Sequence, residues 1–167
     1  MAKYFPLFTD ISNKTFLVVG AGSIAARRIL KLREFGCKII VVAKKISATV
    51  MDMQGKKLVF KERAYDPTDV VSMDYVIAAT NDPDINAKIV WDCNREGIPV
   101  NDASNYKNCD FFFPGIVTEG EIVIGVTSSG SNHSLARKVA YELKHSIKEI
   151  VKRCKKELKE DREAENV

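Results

Sequence analysis

No apolar run in the chain approaches the roughly 18 residues needed to cross a bilayer, and Met1–Asp10 holds no hydrophobic segment of the signal-peptide kind. Cysteine is sparse and scattered. Cys37, Cys93, Cys109 and Cys154 form no C-x-x-C pair, which excludes a zinc knuckle or a disulfide framework and leaves reduced thiols in a cytoplasmic protein as the expectation. Charge of one sign is also in short supply. A net charge of +4, with no basic run interleaved with aromatics, is too mild for a nucleic-acid partner, although it suits a small polyanionic substrate. Internal repeats and low-complexity segments are absent as well. What is present is 167 residues, 46% apolar and 29% charged, enough for one globular domain, or one domain with an appendage.

The most informative stretch is Thr15-Phe16-Leu17-Val18-Val19-Gly20-Ala21-Gly22-Ser23-Ile24-Ala25. It reads as a short apolar strand, a glycine turn and the first turn of a helix, with the spacing G-x-G-x-x-A of a dinucleotide-binding fingerprint. Gly20 permits the tight turn, Gly22 leaves room for a pyrophosphate, and Ala25 lets the helix lie close to the strand. The unpaired N–H groups around Ala21, Gly22, Ser23 and Ile24 then face the anion at the positive end of the helix dipole. The same pattern is also met in plain strand–helix turns, so its context matters.

That context is a run of strand–helix units. A helix is expected over Ser23–Phe35, ended by Gly36, and a doubly buried strand over Lys38–Ala43. The position after this strand, where an acid commonly holds the ribose hydroxyls, carries Ala43-Lys44-Lys45 instead. Two lysines would accept a 2′-phosphate, or backbone groups would hold the ribose, so NAD against NADP stays open. A short helix at Ser47–Gln54, a strand at Leu58–Phe60, a turn at Tyr65-Asp66-Pro67, a brief helical segment leading to Met73 and a strand at Tyr75–Thr80 follow. Thr80, Asn81 and Asp82 sit on the ligand side of such a sheet, as cofactor contacts or as caps of the helix that Pro83 opens. That helix, Ile85–Arg95, carries Trp91, read as packing, and Ile98–Asn101 forms a fifth strand ending on Asn101. The aromatic arm Tyr4–Phe8 is expected to dock on the core.

After Asn101 the pattern changes. A polar loop from Asp102 to Asn108 precedes Phe111-Phe112-Phe113-Pro114, and two apolar segments flank Thr118-Glu119-Gly120 as an antiparallel pair. A long helix from about Ser134 keeps Leu135, Val139, Leu143, Ile147, Ile150 and Leu158 on one side, which points to docking on a second copy of the chain as a homodimer. The charged tail beyond Lys155 is expected to fray. The fold class is therefore α/β: a Rossmann-like, doubly wound parallel sheet over residues 1–110, then a small β-hairpin and a helical dimerisation segment over residues 111–167.

Taken together in this order, Tyr4-Phe5-Pro6-Leu7-Phe8, Val18-Val19-Gly20-Ala21-Gly22-Ser23-Ile24-Ala25, Ala78-Ala79-Thr80-Asn81-Asp82, Val100-Asn101, Cys109–Gly115 and Ser128-Ser129-Gly130 ahead of Leu135-Ala136-Arg137 resemble the precorrin-2 dehydrogenase family, including the N-terminal part of sirohaem synthase. The resemblance implies oxidation of precorrin-2 to sirohydrochlorin with hydride passing to NAD, and in some members insertion of a metal into the product. It implies a tetrapyrrole whose carboxylates meet Ser128, Ser129, Gly130 and Arg137, with Lys107 and Lys138 nearby in sequence. The family's essential aspartate, a proton acceptor, aligns with Ser104, while Asp102 lies two residues earlier. Either the loop is shifted so that Asp102 takes the role, which is the catalytic assignment, with Ser104 at the family position, or the protein manages without that carboxylate. Asn132-His133 replaces the usual Ser-Pro, and no metal ligand is assigned. With the sequence ending at Val167, the C-terminal helices of longer members are expected to be missing, which weighs against a full chelatase. Two other readings are a bifunctional dehydrogenase–ferrochelatase and an NAD(H)-sensing module without turnover.

Overall fold

The computed structural model describes residues 4–53, 55–129 and 132–165. At the centre of one sheet lies β1 (Thr15–Val19), whose Phe16, Leu17, Val18 and Val19 are all buried. An all-apolar strand of this kind belongs where both faces of a sheet are covered. It pairs in parallel with β2 (Lys38–Ala43) on one side and β4 (Tyr75–Ala78) on the other. Beyond these lie β3 (Leu58–Glu62) and β5 (Val100–Asp102), giving five parallel strands in the order β3-β2-β1-β4-β5.

The order reverses between β1 and β4. Right-handed crossovers through α1 (Ser23–Glu34) and α3 (Pro83–Glu96) run in opposite directions from that point and so cover opposite faces. One face packs Leu17, Val19, Ile40, Val42, Val76, Ala78 and Val100 against Ile89 and Cys93 of α3, with Val70 from the 3-10 turn Pro67–Val70. Register places Val19, Val42 and Ala78 at one level and Asp102 opposite Ala78, so four strands end together. In an open α/β sheet the crevice at such a reversal is the ligand side. Between β2 and β3 the helix α2 is short, Ala48–Met51; Gln54, the end of the expected helix, lies outside the described residues. The fifth strand begins two residues later than the sequence expectation and ends one residue later, which takes Asp102 into the sheet.

The chain divides into two compact units, Phe8–Phe112 and Phe113–Val167 with Met1–Leu7. In the second unit β6 (Gly115–Glu119) and β7 (Ile122–Val126) pair antiparallel. Gly120, at φ +58°, makes their two-residue turn. The long helix α4 (His133–Glu165) lies on this hairpin. A side chain at Gly115 would come within 2.8 Å of Ala140 Cβ, so the close approach of helix and strand depends on that glycine. No helix among the described residues is long and apolar enough to cross a membrane.

Three segments depart from the sequence reading. Trp91 is 60% exposed, because the buried face of α3 is Asn86, Ile89 and Cys93 and position 91 points away from it. Arg95, one turn on, lies 4.9 Å over its ring. In the N-terminal arm Phe5, Leu7 and Phe8 are 88%, 83% and 67% exposed, so these side chains are not buried in a core. In the tail, where fraying is expected beyond Lys155, the helix continues to Glu165, with Arg153–Glu157 and Lys156–Glu160 paired one turn apart.

Candidate active site

The turn after β1 is shaped by two backbone bonds, Gly20 N–H to Val42 O at 2.8 Å and Ala79 N–H to Val19 O at 2.8 Å. Gly20 adopts φ +110°, and a Cβ there would sit 2.2 Å from the Ala79 carbonyl oxygen. Conformation and close approach both demand glycine. Ala21 is buried, and its carbonyl accepts the Ser47 hydroxyl at 2.6 Å, which ties the turn to the start of α2. Gly22 caps α1 with ordinary backbone angles, and nothing lies within 4 Å of the place its Cβ would take. Ser23 and Ile24 are exposed, and Ala25 is fully buried against the sheet. No side chain caps α1 and its first turn has no acid, so the opening amide groups face the space above Gly22 without a competing anion. A pyrophosphate fits there on steric and electrostatic grounds alike. Ala43 closes β2 in a buried position, while Lys44 and Lys45 are exposed.

Across the strand reversal, Thr80 is half-buried and Asn81 and Asp82 are exposed. Asp82 caps α3, its Oδ1 accepting the amides of Asp84 at 3.0 Å and Ile85 at 3.2 Å, with Pro83 in the first helical position. The loop is held by Asn86, 1% exposed, which the sequence reading passed over. Asn86 Oδ1 accepts Thr80 N–H at 3.1 Å and lies 2.7 Å from Thr80 Oγ1. The signal for it was a polar residue sharing the helical face of Ile89 and Cys93, a place that an apolar side chain would ordinarily take.

Asp102, at the end of β5, is 4% exposed. Its Oδ1 accepts Ser104 Oγ at 2.6 Å, Ser104 N–H at 2.8 Å and Asn105 N–H at 3.2 Å, and its Oδ2 accepts Asn108 Nδ2 at 3.0 Å. Burial alone would raise its pKa; the hydrogen bonds from Ser104, Asn108 and Asn105 outweigh that and hold the carboxyl below the usual aspartate range. Ser104 is exposed and is the hydroxyl presented from this loop. Neighbouring Asn101 is 2% exposed and donates to Phe111 O at 2.6 Å, while its Oδ1 is buried without a hydrogen-bond partner among the described residues. Arg28, from the second turn of α1, completes the surroundings. Burial lowers its pKa, and the nearby Cys109 and Asp102 oppose that, which puts this cation within electrostatic reach of the carboxylate.

The remaining assigned residues belong to the second unit. Ser128 and Ser129 are half-buried in the loop before α4, where Ser128 Oγ accepts Asn132 N–H at 3.0 Å and Ser129 takes φ +54°. Asn132 caps the helix through Leu135 N–H at 2.9 Å. Arg137, Lys138 and His133 are exposed on α4, and Gly130 lies outside the described residues.

A parallel sheet that reverses its order beside a glycine turn, with an uncapped helix start above it, defines a dinucleotide-binding protein of the Rossmann-like class. A family model described as "Putative NAD(P)-binding" matches residues 7–115, and the chain belongs to that family. It is similar to the "Probable multifunctional siroheme biosynthesis protein HemA" of Ruminiclostridium josui, 41% identical over 142 residues, which cover 84% of this chain and 28% of that protein. It is also similar to a siroheme synthase of Saccharophagus degradans, 37% identical over 148 residues, covering 86% of this chain and 32% of the relative. The chain thus spans about a third or less of the length of these curated relatives. Among solved structures it is similar to SirC, a precorrin-2 dehydrogenase, with TM-score 0.70 and 25% identity over 86% of this chain and 71% of that one.

Proposed function

We propose that this protein oxidises precorrin-2 to sirohydrochlorin with NAD, in the synthesis of sirohaem. The observation that carries the cofactor half of this reading is the turn at Gly20–Ser23, closed to any side chain at Gly20 and open above Gly22. The likeness to a precorrin-2 dehydrogenase over 86% of the chain supports the substrate half. Oxidation removes one hydride and one proton from the tetrapyrrole; when bound, the nicotinamide supplies the hydride acceptor. The chain's own part is to hold and orient. The amides of Ala21, Gly22, Ser23 and Ile24 would hold the pyrophosphate, and residues at or just beyond the ends of β2, β4 and β5 (Ala43, Lys44 and Lys45; Thr80, Asn81 and Asp82; Asn101) would hold the rest of the dinucleotide.

Asp102 and Ser104 are assigned to the reacting side. Asp102 is assigned as the acceptor of the proton: its carboxyl is held ionised, Oδ1 orients Ser104, and Oδ2, which accepts one bond from Asn108, keeps lone-pair capacity for it. Ser128, Ser129, Gly130 and Arg137, with Lys107 and Lys138, are assigned to the substrate's carboxylates, and the exposed cations among them support this. The apolar positions left exposed on α4 support a homodimer, and four free cysteines fit a cytoplasmic setting.

Anaerobic incubation with precorrin-2 and either NAD or NADP, followed at the absorbance of the reduced nicotinamide, tests the reading. Stoichiometric reduced cofactor with sirohydrochlorin is the expected result. Cofactor binding without any turnover would replace the enzyme by a nucleotide-sensing module.

A further inference from the structure

The carboxamide of Asn86 joins two loops that leave different strands. Toward the loop after β4, its Oδ1 accepts Thr80 N–H at 3.1 Å and its Nδ2 donates to Thr80 O at 3.2 Å. Toward the loop after β5, Nδ2 donates to Ser104 Oγ at 3.2 Å. Ser104 Oγ then donates to Asp102 Oδ1 at 2.6 Å, and Asp102 Oδ2 accepts Asn108 Nδ2 at 3.0 Å. With Thr80 Oγ1 donating to Asn86 Oδ1 at 2.7 Å, the five side chains form one network along the carboxyl ends of β4 and β5, its bonds converging on Asp102 from Ser104 and from Asn108. The Ser104 hydroxyl proton is committed to Asp102 because its lone pair receives Asn86, and such serial bonds reinforce one another in a low-dielectric setting. For stability alone the position has little need of an amide: it is 1% exposed and shares its helical face with fully buried Ile89 and Cys93.

We propose that Asn86 is a positioning residue that fixes Thr80 and Ser104 relative to one another at the crevice, acting through them and without itself touching the reacting atoms. The catalytic consequence rests on the precorrin-2 reading; the coupling of the two loops does not. Two substitutions isolate the link. Asn86→Asp keeps the acceptor toward Thr80 and removes the donor toward Ser104, and Ser104→Ala removes the acceptor from an exposed position where folding is not at stake.

With precorrin-2 and NAD, each variant is expected to lose about tenfold in kcat, with KM and cofactor affinity within about twofold. The double variant should fall no further than the worse single one. Independently of turnover, Ser104→Ala should speed hydrogen exchange at the Thr80 amide by about tenfold, since that amide is held by Asn86. Unchanged kcat in both variants, or losses that multiply in the double variant, would overturn the proposal. So would a Thr80 amide indifferent to Ser104→Ala, even if Asn86→Asp failed to fold. A wild-type protein that does not oxidise precorrin-2 sinks the functional reading, and the exchange measurement then decides the link by itself.

Discussion

Gly20 and Gly22 play the same part in the sequence pattern and different parts in space. At Gly20 an added methyl group meets the Ala79 backbone at 2.2 Å, and the positive φ is closed to other residues. Gly20→Ala is therefore expected to lower stability by more than about 2 kcal/mol, read from urea or thermal unfolding, whether or not cofactor is present. At Gly22 the methyl group meets nothing, so Gly22→Ala should unfold within about 1 kcal/mol of the parent. It would fill the space above the opening amides, and calorimetry should show NAD binding weakened by about tenfold or more. A variant pair with the opposite pattern, Gly20→Ala stable and Gly22→Ala still binding tightly, would remove the turn from the site. The spacing of these glycines was legible because it reflects local chain geometry. Asn86 showed in sequence only as a polar residue on the helical face of Ile89 and Cys93; its partners did not, because its bonds reach Thr80 and Ser104 across six and eighteen residues.

At the scale of elements, strand β2 could be read to the residue, since a run of β-branched side chains closed by lysine has few other uses. Boundaries governed by tertiary contact could not. β4 ends at Ala78, two residues short of the expectation, where the Gly20 turn comes against Ala79. The 3-10 turn before β4 shows the same dependence. Asp69 is buried there, bonded to Arg63, to the Asp66 amide at 3.0 Å and 3.6 Å from Lys61. Burial pushes its pKa up, and the Arg63 and Asp66 bonds more than reverse that, so the folded state keeps this carboxyl ionised below its ordinary range. The sign follows: the bond contributes fully above the unfolded value of about 4 and is lost as pH falls through the lower folded value. Asp69→Asn should cost about 2 kcal/mol at neutral pH. It should also flatten the fall of stability below about pH 4. Urea midpoints measured across pH test both, and a parallel shift at every pH would show that Asp69 does not titrate with folding.

For the whole molecule, the length of the last helix decides what is left uncovered. α4 has 33 residues and is about 50 Å long, whereas each hairpin strand beneath it has five residues and reaches about 17 Å. The hairpin meets the helix near Ala136 and Ala140. Ile147 is buried, but Leu135, Val139, Ile150 and Leu158 on the same stripe are 55%, 40%, 37% and 57% exposed. The apolar periodicity was plain in the sequence; how little of it the hairpin could cover was not, because that depends on two lengths that only the fold sets side by side. A second copy of the same stripe, laid across it about a two-fold axis, would cover what the hairpin leaves open, which is the isologous pairing of the homodimer proposed above. Ile150→Glu and Leu158→Glu together are thus expected to weaken self-association by more than about tenfold in sedimentation equilibrium. The helix should remain, since the charged face and its Arg153–Glu157 and Lys156–Glu160 pairs are untouched. NAD affinity should stay where it was, because every group assigned to the pyrophosphate lies within Phe8–Phe112. A parent protein that sediments as a monomer at all concentrations would remove the dimer, and would leave the stripe to be covered by a different chain.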